Sequence, residues 1–201
     1  MNNQKVELDI YQECLYEINK RIDVINDHLD GVINEKLLVV EAETVCLQFR
    51  KILEMIALIS LVANKDLYAE QHEKFAKHYN ARLIMKDLER INLDFYPVPV
   101  KNVKHPDKRD ELVEIENGYL TKDELVEIYE KCGGMMHAQN PFSTEKPIID
   151  IMKSFHKWLE KICALLTYHK ITLVGGEKVL VAIMKRSDNG MPQAVLFRKE
   201  R

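Results

Sequence analysis

The longest apolar run of the chain lies between Val45 and Ala63 and contains neither glycine nor proline. Placed at 100° per residue, its apolar side chains surround almost the whole circumference, which is typical of a helix buried on most sides. The run therefore predicts a central helix that begins near Glu35 and ends near Asn64. One narrow stripe, which includes Arg50 and Glu54 at i,i+4 spacing, interrupts the apolar coverage.

Apolar residues that recur every three or four positions predict further helices around this one. Such patterns span residues 6–29, 66–91 and 147–166, and the second of them allows a break near Asn80. Thr121 and Glu124 have the spacing of a capping box, which predicts that another helix begins at Thr121. We expect Gly133 and Gly134 to interrupt that helix.

The pattern changes after Lys170. Three β-branched or alternating runs, at residues 171–174, 178–185 and 193–198, are separated by glycine-containing turns and predict a small antiparallel meander. Residues 101–118 are polar without a clear period, so we expect an irregular connection there, with a short strand at residues 112–115.

Together these patterns predict a mainly α protein. It is a helical bundle of about five helices around a central buried helix, with a small C-terminal antiparallel β-meander. We expect residues 1–170 to form the helical bundle domain and residues 171–201 to form a meander appended to the same domain. A chain of 201 residues is long enough to bury one substantial core.

Charge and cysteine content narrow the classes of function. The net charge of −3 disfavours non-specific binding to DNA, because any nucleic-acid contact has to come from a local patch. The four cysteines are far apart and form no CxxC pair, which fits a cytoplasmic protein with reduced thiols. Arg50, Lys51 and Glu54 would each cost about 2.5–3.5 kcal/mol at the centre of a bilayer, so the central run predicts a core helix and no membrane partner.

The stretch from Tyr129 to Phe142 is the most suggestive for chemistry. If its helix continues through the glycines, Glu130, His137 and Asn140 share one face. A neutral imidazole exchanges protons near pH 7, and an adjacent carboxylate or amide can orient it, which makes His137 the leading candidate for acid/base chemistry. Two helical glycines cost about 1 kcal/mol each, which indicates that something approaches the backbone closely there.

Structural explanations remain open for each of these features. A single histidine near a helix end is more often a capping or hydrogen-bonded residue than a catalytic one, and the glycines could simply let two helices pack closely. Arg50 and Glu54 are equally explained as an ion pair between helices; the functional alternative places Arg50 opposite His137. The basic run from Lys101 to Arg109 is more often a solvated loop, though it could meet phosphate.

Metal and cofactor motifs are not found in the sequence. His72 and His78 are six residues apart and lie off one helical face, and neither an HExxH motif nor a His/Cys quartet occurs. Phosphate-binding, dinucleotide-binding and serine-hydrolase motifs (GxxxxGK[ST], GxGxxG and GxSxG) are absent as well. We therefore expect neither a metal site nor a cofactor.

The helical core, the polar residues on its long second helix and the later helix that carries His137 resemble HEPN-type domains, helical modules of toxins and nucleic-acid-associated proteins. That family has an arginine, then four to six residues, then a histidine, and it cleaves RNA without metal across a homodimer interface. In this chain Lys131 precedes His137 by five intervening residues, so lysine stands where the family has arginine. Lysine lacks the bidentate fork that suits a phosphate, so a member that binds RNA without cleaving it is an equal expectation.

The resemblance implies a homodimer that binds or cleaves RNA, in a toxin–antitoxin or defence system. His137 would act as acid or base towards a ribose 2′-hydroxyl, Lys131 or Arg50 would stabilise the phosphate, and Asn140 would orient the imidazole. Glu54 completes the candidate site as the partner of Arg50. The alternative is a non-catalytic helical module that docks a protein partner through a helical face and a β edge.

Overall fold

The structure is a computed structural model that describes residues 2–31, 37–63, 80–105, 110–138, 147–185 and 188–198. Within these ranges it confirms the mainly α class with a small antiparallel sheet, of which the last three strands form the C-terminal β-meander. The helices are α1 (Asn2–Asp30), α2 (Leu38–Ala63), α3 (Ala81–Ile91), α4 (Lys122–Met135) and α5 (Pro147–Leu166). The strands are β1 (Val98–Lys104), β2 (Asp110–Glu114), β3 (Tyr168–Thr172), β4 (Lys178–Ile183) and β5 (Gln193–Arg198).

Helix α2 is the centre of the bundle, as its apolar run predicts. It packs against α1, α3, α4 and α5, and its buried side chains lie on most of its circumference. Phe49 contacts two aromatic rings of α5, with 5.6 Å between its ring centroid and those of both Phe155 and Trp158. Among the described helices none is long and apolar enough to span a membrane.

The sheet has the strand order β2-β1-β3-β4-β5, and every pair is antiparallel. Strands β3, β4 and β5 form the predicted meander, although β3 begins at Tyr168, before the predicted start. The expectation of an irregular connection after Lys101 is wrong, because β1 and β2 pair from Val100↔Glu114 to Lys104↔Asp110, although the short strand predicted at residues 112–115 overlaps β2. These strands are polar and lack a clear apolar period. Whether such a segment forms a strand depends on its pairing with a neighbouring strand.

Helix α1 covers the sheet through a few buried polar contacts. The hydroxyl of Tyr11 lies 2.6 Å from Nε2 of His169, and Nδ1 of the same ring lies 2.9 Å from the carbonyl oxygen of Leu166. Since a carbonyl can only accept, Nδ1 carries the proton and Nε2 accepts from Tyr11. Burial lowers the pKa of His169 to about 4, so its imidazole is neutral near pH 7. The side-chain amide of Asn19 adds a bond of 2.8 Å to the carbonyl of Met184.

Helix α4 begins as the sequence predicts and ends later than it predicts. The Thr121 side chain accepts from the Glu124 backbone N–H while the Glu124 carboxylate accepts from the Thr121 N–H, which confirms the capping box. The expected interruption at Gly133 and Gly134 is wrong, because the helix continues through both residues to Met135. Glycine weakens a helix without forbidding it, so neighbouring contacts can hold the backbone in place.

Helix α3 lies beside α4 and is bound to it by ion pairs. Arg82 and Glu130 approach to 2.7 Å near one end of α3, and Glu89 and Lys122 approach to 2.9 Å near the other. Asn80 caps α3 by accepting from a backbone N–H, which confirms the break near this residue. The predicted helical pattern before it, at residues 66–79, lies outside the described residues.

Candidate functional site

The packing of α2 against α4 brings together Arg50, Glu54 and Tyr129. The Arg50 Nη2 atom donates to the Tyr129 hydroxyl at 2.5 Å, and Nη1 donates to the Tyr129 carbonyl oxygen at 3.4 Å. Its guanidinium carbon lies 3.9 Å from the centroid of the same ring, within the range of a cation–π contact. Tyr129 therefore holds this cation by its ring, its hydroxyl and its backbone.

Glu54 shares this hydroxyl with Arg50. Tyr129 donates its hydroxyl hydrogen to Glu54 Oε1 at 3.1 Å, and the same oxygen lies 3.8 Å from Arg50 Nη2. Burial raises the pKa of Tyr129, and the Glu54 charge raises it further, while Arg50 and a backbone hydrogen bond from Ala81 oppose the shift. The phenol is thus a neutral bridge between a cation and an anion that belong to the same helix.

Gly133 supplies the space that the guanidinium occupies. A Cβ atom at this position would lie 2.6 Å from Arg50 Nη1, which is closer than side chains approach each other. At the next residue, Gly134, a Cβ atom would meet nothing within 4 Å. One of the two glycines is therefore explained by the close approach of Arg50, and α4 keeps its helical hydrogen bonds around it.

Two cysteines belong to the same contact between α2 and α4. Cys46 and Cys132 are both fully buried, and all four cysteines of the chain are free thiols. A hydrogen bond with Cys46, together with burial, raises the pKa of Cys132. The thiolate is the nucleophilic form, so Cys132 is a packing residue rather than a reactive one near neutral pH.

His137 follows the end of α4. Its backbone N–H lies 3.4 Å from the carbonyl oxygen of Gly134, and its side chain is exposed. Within the described part of the chain, its imidazole makes no hydrogen bond to another residue. His137 is four residues after Gly133, the residue against which the Arg50 guanidinium packs.

The remaining predicted site residues are not brought into this cluster. Lys131 lies on the exposed side of α4 and pairs with Glu127 at 2.6 Å, whereas Arg50 contacts the buried side of that helix. Glu130, considered as an orienting carboxylate for His137, is engaged by Arg82. Asn140 lies outside the described residues.

Sequence reasoning missed the role of Tyr129. The sequence singled it out only as the first residue of the stretch that ends at Phe142. A signal existed, because Tyr129 and Gly133 have the i,i+4 spacing that puts a polar-tipped ring and a side-chain gap on the same helical face. The side chain that packs against both the ring and the gap comes from another helix, and no signal in the neighbouring sequence identifies it as Arg50.

The described ranges contain no group of three or more histidine, cysteine, aspartate or glutamate side chains that could hold a metal ion. A small cavity of about 30 Å³ lies elsewhere, between the ends of α1, α2 and the sheet, and Val62, Leu180 and Leu196 are among its lining residues. This volume holds a few water molecules at most and is far below the several hundred Å³ of a typical ligand pocket.

Comparison with known proteins adds no relative. No protein-family model, no curated protein and no solved structure matches this chain. The resemblance to HEPN-type domains therefore stays a prediction that rests on His137 and its surroundings.

Proposed function

We propose that this protein binds RNA at the cluster of Arg50, Glu54 and Tyr129 and cleaves it without a metal ion, with His137 as the acid/base group. Two observations support the proposal: the Arg50 guanidinium is held against Tyr129 and Gly133 of α4, and the side chain of His137, which follows this helix, is exposed. Guanidinium groups bind phosphate by their planar fork, and imidazole moves protons near neutral pH. Arg50 replaces Lys131 as the phosphate contact in this proposal, because Lys131 is paired with Glu127.

The proposed reaction is a transfer within one RNA strand. His137 takes the proton of a ribose 2′-hydroxyl, the 2′-oxygen attacks the adjacent phosphorus, and the bond from phosphorus to the 5′-oxygen breaks. Arg50 stabilises the negative charge that develops on the phosphate oxygens. In this proposal the leaving 5′-oxygen receives a proton from the imidazolium form of His137 in the second copy of the homodimer. The products are a 2′,3′-cyclic phosphate and a 5′-hydroxyl.

The test is incubation of single-stranded RNA with the purified protein in the presence of a chelator. The parent protein should cleave the RNA, His137→Ala should abolish cleavage, and Arg50→Met should weaken retention of the RNA. His156→Ala is the matched control, because His156 is an exposed histidine on α5, away from this cluster. A parent protein that neither cleaves nor retains RNA refutes the proposal, and cleavage that requires added metal refutes this mechanism.

Cleavage of cellular RNA would connect the protein to a toxin or defence system, as the resemblance implies. Expression of the parent protein in a bacterial host should then slow growth, while equal amounts of His137→Ala should not. Equal growth at matched protein levels would count against that role without bearing on RNA binding in vitro.

The alternative is a non-catalytic module that docks a protein partner, and the end of the sheet favours it. β5 is an edge strand of the described sheet, and its Val195 and Phe197 side chains are 40% and 53% exposed. Exposed apolar side chains on an unpaired strand edge are typical of strand addition. Phe197→Glu should then abolish association measured by light scattering, while His137→Ala should leave it unchanged.

A further inference from the structure

Arg50 already has an anionic neighbour of its own, the carboxylate of Glu54. The two side chains are 28% and 27% exposed, so water and dissolved anions reach both of them. Their charged atoms are 3.8 Å apart, which is longer than a direct charged hydrogen bond, whereas Arg50 lies within 2.5 Å of the neutral Tyr129 hydroxyl. The cation is thus held mainly by Tyr129 and only loosely by Glu54.

An anion site needs a cation that is held in place and whose charge is not neutralised, and Tyr129 provides the first without preventing the second. Its ring, hydroxyl and carbonyl hold the guanidinium in place without neutralising its charge. Gly133 leaves the space in which Nη1 lies. Glu54 partly neutralises the charge, and the hydrogen bond that its carboxylate accepts comes from the Tyr129 hydroxyl rather than from Arg50.

We propose that Glu54 competes with an RNA phosphate for Arg50 and thereby sets the affinity of the site, while Tyr129 and Gly133 are the positioning residues of the guanidinium. The inference rests on the proposed RNA function and adds an internal competitor to it. An arriving phosphodiester takes the place of Glu54 beside Arg50, and removal of the Glu54 charge strengthens RNA binding.

The experiment measures the binding of a fluorescent single-stranded RNA by anisotropy at low salt. Glu54→Gln should tighten binding about two- to fivefold, the range that corresponds to a partly exposed ion pair. Gln keeps the size of the side chain and an oxygen that can accept from Tyr129. Glu127→Gln is the matched control, because it removes the same charge from an ion pair on the exposed side of α4.

Two further comparisons separate competition from a general change in charge. In the Arg50→Met background, Glu54→Gln should give no gain, because the cation for which it competes is absent. Gly133→Ala should weaken RNA binding by displacing the guanidinium, while Gly134→Ala should bind as the parent does. The glycine pair tests the positioning role independently of Glu54.

The outcomes distinguish this inference from the proposed function. If the parent binds RNA and Arg50→Met loses it, but Glu54→Gln binds no tighter than Glu127→Gln, the competition is refuted and the RNA site stands. If Gly133→Ala and Gly134→Ala bind RNA equally well, the positioning role is refuted. If the parent binds no RNA, both the proposed function and this inference are overturned.

Discussion

The two neighbouring glycines of α4 allow a direct test of how Arg50 is held. Gly→Ala in a helix interior stabilises a protein by about 0.5–1 kcal/mol, and both glycines lie in helical backbone. We expect this gain at Gly134, where a Cβ atom meets nothing within 4 Å. At Gly133 the new Cβ atom would lie 2.6 Å from Arg50 Nη1, so the guanidinium has to move.

The displaced guanidinium loses its hydrogen bonds to Tyr129. A hydrogen bond to a charged group contributes about 1.5–3 kcal/mol when buried, and the partial exposure of Arg50 reduces this to about 1–2 kcal/mol. Gly133→Ala should therefore be about 1–2 kcal/mol less stable than Gly134→Ala, although the two substitutions are identical in chemistry. Urea unfolding followed by circular dichroism measures both free energies of unfolding.

The Arg50→Met background supplies the control for this comparison. Without the guanidinium, no Nη1 atom lies close to the new Cβ atom at position 133. The free energies of unfolding of the two alanine variants should therefore agree within about 0.5 kcal/mol in this background. Equal stabilities in the native background would show that Arg50 moves freely, and a difference that survives Arg50→Met would show that the strain lies elsewhere in α4. Either result would refute the account of Gly133 given above.

Three further predictions concern the core, the cap and the buried histidine. Ile56→Ala should lower the free energy of unfolding, measured by urea titration, by about 2–5 kcal/mol, because it leaves a cavity in the core around the central helix. Ile149→Ala, at an exposed position, should change the same free energy by less than about 0.5 kcal/mol. Thr121→Ala should cost about 1 kcal/mol by removing the cap of α4, as seen in the urea midpoint. His169 has an ordinary pKa of 6.5 in the unfolded chain, and burial lowers its pKa to about 4 in the folded protein. The free energy of unfolding should therefore fall by up to about 3 kcal/mol as the pH is lowered from 6.5 to 4. His169→Gln should flatten that part of a profile of free energy against pH, and an unchanged profile would contradict the neutral buried ring.

The candidate site shows how far local sequence could lead. Arg50 and Glu54 are recognisable from their spacing on an otherwise apolar helix, and His137 is recognisable from its position after two glycines. Lys131 was assigned beside them because it precedes His137 at a suitable spacing, but helical geometry puts it on the exposed side of α4, where Glu127 pairs with it. Spacing along a chain does not say which face of a helix another helix will cover.

The sequence by itself determined the elements whose signals are local. The apolar run predicts the buried helix α2, and the capping box starts α4 through bonds among four successive residues. β5 has the bounds that the alternation of its residues predicts. Each of these signals depends on side chains within a few positions of one another, so a reading of the chain can find them.

Only the tertiary structure decided the features that join distant parts of the chain. β1 and β2 become strands because they pair with each other and because β1 also pairs with β3, and no apolar period announces this. Gly133 leaves a space on α4 that Arg50, which lies far away in the sequence, occupies. Hydrogen bonds and excluded volume act between whichever atoms the fold brings together, and so their consequences are fixed only once α2 and α4 have packed.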